Sequence, residues 1–133
     1  MNGDFTIDAV QTAESSYELL VVADSHQSLR NLARCISDLS RSQPGASFQI
    51  GGRATHASDI VLLFRRDDRS GLGHCRLTRT EGECLEFTLS LDSEGLLELS
   101  EKLEHLANSR GNCFQETSFG ATSDANIEFR IAQ

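Results

Sequence analysis

Residues 85–107, LEFTLSLDSEGLLELSEKLEHLA, change their apolar period once, and that change dictates what they build. Leu85, Phe87, Leu89 and Leu91 alternate with Glu86, Thr88 and Ser90. A period of two is a strand with one buried and one wet face. After a two-residue break, Leu96, Leu99, Leu103 and Leu106 follow at steps of three and four, which lays one apolar stripe along a helix. Asp92 or Ser93 supplies an oxygen for the free N–H groups of the first turn, and Glu94 puts negative charge where the helix dipole favours it. The opposite face carries Glu94, Glu98, Glu101, Lys102, Glu104 and His105. Such a unit packs one side of a helix onto one side of a sheet and shows a mostly acidic exterior.

The same pattern occurs earlier in the chain. Tyr17 to Ala23 is an apolar strand, Asp24-Ser25 breaks it, and Leu29, Leu32, Ile36 and Leu39 form the stripe of a helix running to about Arg41. Asp24-Ser25 aligns with Asp92-Ser93, Phe48-Gln49 with Phe114-Gln115, and Ile60–Phe64 with Ile127–Ile131. With a strand over roughly 4–10 and a hairpin of 74–79 with 83–91, each half reads β-β-α-β-β. The expected fold class is therefore α+β. It is a tandem ββαββ duplication (about 3–66 and 72–132) forming about eight mostly antiparallel strands, in one sheet or two, with two helices packed on the sheet. One unit alone would bury little core, so the two should share one within a single domain spanning 1–133. Thr80-Glu81-Gly82 suits a three-residue hairpin loop, setting Arg79 opposite Glu83, Leu77 opposite Leu85 and Cys75 opposite Phe87. The continuous apolar runs at 19–23 and 60–64 point to the most enclosed strands.

The net charge is −8, and residues 67–133 hold nearly all of it, with thirteen acids against six bases. Phosphate backbones need basic neutralisation, so nucleic acid is not an expected ligand; a basic protein partner is. No apolar run approaches the ~20 residues of a membrane span. The opening MNGDFTIDAV lacks the basic region and apolar core of a signal peptide, so the expected compartment is the cytoplasm, with reduced thiols.

Candidate chemistry resolves into ordinary structure. His56-Ala57-Ser58-Asp59 collects triad residue types in one polar turn, whereas working triads assemble them from separate elements. The four cysteines show no CxxC pair, Cys75 and Cys84 fall on opposite strand faces, and small buried hydrophobes are the usual role for cysteine. No metal or cofactor is expected, and Cys84 is the one candidate for a reactive thiol. Gly51-Gly52 and Gly71-Leu72-Gly73 precede no helix and no GK[ST], so they are not phosphate loops. Asp67-Asp68 with Glu81, Glu83 and Glu86 would line an acidic surface rather than a catalytic pair.

A strand, then Asp-Ser-Glu-Gly-Leu opening a Leu-rich helix, then two more strands (Leu85 through Ile131) resembles the small immunity proteins of bacterial polymorphic-toxin and type VI secretion systems. The resemblance implies a stoichiometric inhibitor that binds its cognate toxin domain in the producing cell's cytoplasm. It carries over no binding residues. The residues themselves nominate Glu94, Glu98, Glu101 and Glu104, or the acidic hairpin Glu81, Glu83 and Glu86, as the contact surface for a basic toxin. Two other classes fit the same chain: a non-catalytic adaptor or secretion-chaperone-like module, and a small ligand-binding domain. A homo-oligomer is compatible with each. A dedicated toxin partner separates the first class from the second, and an apolar pocket with a buried titrating group would mark the third.

Overall fold

The two periods read from the sequence become strands and helices at the expected places. The computed structural model describes residues 5–14, 16–52, 59–69, 73–82, 84–108, 113–116 and 125–132, with residues 52 and 113–116 as backbone only. In chain order the elements are β1 (Phe5–Ala13), β2 (Ser16–Ala23), α1 (His26–Ser40), β3 (Ser47–Gly52), β4 (Asp59–Arg66), β5 (His74–Glu81), β6 (Cys84–Leu91), α2 (Ser93–Asn108), β7 (Cys113–Glu116) and β8 (Ala125–Ile131).

The fold is α+β, with its described strands in two four-stranded sheets. Sheet I has the order β1-β2-β8-β7 and sheet II the order β3-β4-β6-β5. Pairing is mostly antiparallel; only β2–β8 and β4–β6, at the centre of each sheet, run parallel. Each sheet thus joins an antiparallel pair from the first half of the chain to one from the second. A parallel join needs a crossover of about a dozen residues or more, and both joins have one, over residues 24–124 and 67–83.

The helices lie antiparallel and pack on each other, and each also reaches both sheets: α1 meets β2 and β4, α2 meets β6 and β7. Small residues line their contact. Ser100 Oγ donates to the Ala33 carbonyl at 2.8 Å, and Ser93 Oγ donates to the Ser40 carbonyl at 2.7 Å. At the other end Arg30 Nε donates to Asn108 Oδ1 at 3.1 Å. Ala33, Ser40, Ser100 and Ala107 are each at most 4% exposed. Ser93, Ser100 and Ala107 recur every seven residues, so they share one line of α2. The predicted stripes Leu29, Leu32, Ile36, Leu39 and Leu96, Leu99, Leu103, Leu106 all enter one apolar cluster with the inner faces of both sheets. Tyr17 of sheet I and Phe87 of sheet II meet edge to face, with centroids 5.3 Å apart.

Three expectations change. The β5–β6 hairpin pairs Cys75 with Leu89 and Leu77 with Phe87, two residues from the predicted register, and Arg79 lies opposite Glu86 rather than Glu83. Strand β5 continues through Glu81, so the tip is tighter than the three-residue loop, and an irregularity between Leu77 and Arg79 takes up the extra residue. A shift of two preserves the faces, so Cys75 still points inward and is buried. The tip glycine has the expected left-handed backbone: Gly82 has φ 59°. Second, β2 and β4 are central but not enclosed, because Leu20, Val22, Val61 and Leu63 remain half-buried on uncovered outer faces. The most enclosed strand is β6, buried continuously over residues 87–91. Its short Thr88 and Ser90 stand between the longer Leu63, Arg65 and Arg76 on the neighbouring strands. Third, the start of α1 aligns one residue later than Asp24-Ser25 with Asp92-Ser93. Ser25 Oγ accepts from Ser28 N–H at 3.1 Å, and the equivalent cap of α2 is Asp92, whose Oδ1 accepts from Gly95 N–H at 2.7 Å.

Candidate functional site

The acidic face of α2 is built by helical spacing. Steps of three and four bring Glu94, Glu98, Glu101 and Glu104 onto the side away from the core stripe, and all four are exposed. Leu97 lies among them and is 44% exposed, one of only two large apolar side chains so open among the described residues. Ion pairs on other elements include Arg41–Asp38, Arg66–Asp68, Arg69–Asp67, Arg79–Glu81 and Arg130–Glu128. The first helix shows Arg30, Arg34, Asp38 and Arg41 to solvent instead. Two helices with equivalent core stripes therefore carry different exteriors, and core packing does not dictate the difference. The acidic face is held in place because Asp92 caps its helix and Ser93 and Ser100 anchor that helix to α1.

The second nominated group is less uniform. Glu81 is exposed and paired with Arg79, and Glu86 is half-buried and accepts from Thr78 Oγ1 at 3.0 Å. Glu83 lies outside the described residues, as do His56, Ala57 and Ser58. Glu81 and Glu86 stand on the outer face of sheet II, with Gln49, Val61, Arg79 and half-buried Cys84 around a cleft of about 220 Å³. The helices pack on the inner faces, so this group and the α2 glutamates belong to separate surfaces.

Asp67 and Asp68 do not join that group. Asp67 N–H donates to the Leu91 carbonyl at 2.9 Å, at the opposite end of β6 from the hairpin tip. Asp68 takes a two-pronged contact from Arg66 at 3.1 and 3.0 Å, and Arg66 also donates to the Ser42 carbonyl just after α1. The two aspartates thus tie strand, loop and helix end together. Hydrogen bonding from the Arg69 N–H, helped by its guanidinium, holds the Asp67 carboxyl below the usual carboxylate range. Burial pushes the Cys35 thiol up, and nearby Asp38 adds to the effect. Among the described residues no three His, Cys, Asp or Glu side chains are placed to hold a metal ion, and no helix is long and apolar enough to cross a membrane.

One feature had no signal in the sequence. Val10, Glu18, Leu20, Asn126 and Glu128 line a cleft of about 260 Å³ on the outer face of sheet I. The antiparallel β1–β2 pairing sets Val10 beside Glu18, and the parallel β2–β8 pairing brings in Asn126 and Glu128 from more than a hundred residues away.

No family model and no curated protein matches the sequence. Among solved structures, the chain is similar to the crystal structure of Drosophila Suppressor of Fused, with a TM-score of 0.44 and 9% identity over 95% of this chain. It spans about a quarter (26%) of that protein's length.

Proposed function

We propose that this chain is an immunity protein, a non-catalytic inhibitor that binds a cognate bacterial toxin directly in the cytoplasm of the cell that makes both. The observation that supports this reading is the exposed face of α2, where Glu94, Glu98, Glu101 and Glu104 surround the open side chain of Leu97. An apolar anchor inside a rim of like charge suits a basic protein surface: the charges steer encounter and set register, and the anchor adds buried area.

The same reading treats the scaffold as a tandem ββαββ duplication. Its support is topological. Moving each strand four places along the chain converts the order β1-β2-β8-β7 into β5-β6-β4-β3, which is sheet II read backwards. The equivalent helix residues stay a constant 67 apart from Ser25 and Asp92 through Leu39 and Leu106.

The test is co-expression with the toxin domain encoded beside this chain. Growth rescue and a one-to-one complex in size-exclusion chromatography are expected. Glu98→Lys with Glu101→Lys should weaken the complex by about tenfold or more and flatten its salt dependence, because two favourable contacts become repulsive. Stable binding without growth rescue would favour the adaptor reading, and unchanged binding in the double variant would move the interface off α2.

A further inference from the structure

We infer that the outer face of sheet II carries a second binding site, a trough that takes the phosphoryl group of a phosphorylated side chain presented by a protein segment. The trough does not depend on the α2 surface, because the helices cover the inner faces of the sheets and this face looks the other way.

The strand registers lay out its floor and walls. Ser47, Arg65, Ser90 and His74 form one cross-strand row, and Gln49, Leu63, Thr88 and Arg76 form the next. Thr88 and Ser90, both on β6, are only 7% and 5% exposed on a face the helices leave open, because the longer side chains of β4 and β5 overshadow them. These short hydroxyl residues are the floor, with Arg65 on one wall and Arg76 on the other. The two flanking strands lie about 10 Å apart, two strand spacings. Within these two rows there are two arginines and no carboxylate. Arg76 is exposed. Arg65 is half-buried, and its Nε is sealed from solvent with no hydrogen-bond partner among the described residues. Carboxylates beyond the rows have other partners. Asp67, past the end of β4, accepts from Arg69, and the charge of Arg65 is the weakest of the influences on it. Glu86, next along β6, accepts from Thr78.

A buried guanidinium N–H without an acceptor is costly, and the free protein carries that cost at Arg65. A turn of the side chain toward an anion in the trough removes it, so binding gains by the difference between the two states. Two cations across a trough, with hydroxyls beneath, direct donors inward from three sides. A carboxylate oxygen takes its donors near one plane, whereas a phosphoryl group with three acceptor oxygens takes them from all three sides. The face is open, so a small anion alone would stay mostly in water. A modified side chain brings flanking residues that close over it, and half-buried Leu63 and exposed Gln49 lie where those residues would rest. Nucleic acid is a poorer match, because one pair of arginines neutralises few phosphates and a net charge of −8 repels the rest.

The experiment is an NMR titration of the isotope-labelled full chain at low salt with the capped pentapeptide Gly-Ala-phosphoserine-Ala-Gly, with its serine and glutamate counterparts, and with inorganic phosphate. Saturable shifts at Ser47, Arg65, Arg76, Thr88 and Ser90 are expected with the phosphopeptide, and none with the serine peptide. The Arg65 Nε–Hε signal should move downfield as it gains an acceptor. Arg65→Gln should weaken binding by about tenfold, the size of one charge-assisted hydrogen bond. Arg76→Gln, at an exposed position, should weaken it by about two- to fivefold. A superimposable spectrum of each free variant shows that the fold is kept; if the Arg65 variant does not fold, the Arg76 variant and the parent's Nε–Hε signal decide. An equal response to the glutamate peptide would overturn the phosphoryl group as occupant, and equal affinity for inorganic phosphate would overturn its presentation by a protein segment. Shifts centred on α2, or no response up to the solubility limit, would overturn the site itself. None of those results bears on whether α2 binds a toxin, which the growth rescue decides separately.

Discussion

Asp92 and Ser93 are adjacent, chemically interchangeable as caps, and put to different uses. The Asp92 carboxylate closes the first turn of α2, while the Ser93 hydroxyl satisfies the Ser40 carbonyl at the end of α1. A second carboxylate with a defined job is Asp67. Its folded pKa lies below the ordinary 3.8, first because it accepts the Arg69 N–H and then because of the Arg69 guanidinium. A depressed carboxylate pKa stabilises the fold above the unfolded value, and that contribution disappears as pH falls through the folded one. Asp67→Asn should therefore cost about 1 kcal/mol near neutral pH, and the difference from the parent should shrink below pH 3.8. Urea denaturation at both pH values checks this. A pH-independent difference would mean that the side chain's shape matters and its charge does not.

Between elements, the decisive contact is the one between the helices, and it is made by small residues. Ala33 and Ser100 meet at a buried hydrogen bond of 2.8 Å, which brings the two backbones close. A larger apolar residue at that point would improve burial on a hydropathy scale yet would have to force the helices apart. Ser100→Ala should cost about 1 kcal/mol for the lost hydrogen bond, and Ser100→Leu about 2–3 kcal/mol for overpacking. Chemical denaturation midpoints rank the two, and a leucine variant as stable as the alanine one would show that the interface has room to spare. The helix period made the exposure of Glu94, Glu98, Glu101 and Glu104 legible before any coordinates, since it depends only on spacing. The openness of Leu97 was not legible, because one leucine off the stripe reads the same whether a neighbour covers it or not.

At the scale of the whole molecule, no half of the chain owns a sheet. β1 and β2 need β8, β3 and β4 need β6, and the core cluster draws on both halves. Fragments 1–70 and 71–133 should each lack dispersed NMR spectra and a cooperative thermal transition alone, and regain both when mixed. Independent folding of either fragment would contradict the shared core. This interleaving is also why the sequence reading left open whether there was one sheet or two. Period-two alternation reports which face of a strand is buried and is silent about its neighbour, so neither parallel join, β4–β6 across 25 residues or β2–β8 across 108, leaves a local trace.

By itself the sequence determined the α+β class, the order and type of the elements, the leucine stripes, the inward Cys75 and the acidic exterior of α2. Those properties follow from periodicity and from capping and turn residues, which act over a few positions. Only the tertiary structure decided which strands pair, that β6 is the enclosed one, that Asp67 and Asp68 stand apart from the hairpin glutamates, and that Val10, Leu20 and Glu128 share a cleft. Those properties depend on contacts between residues far apart in the chain, and their free energy exists only once both partners have been brought together.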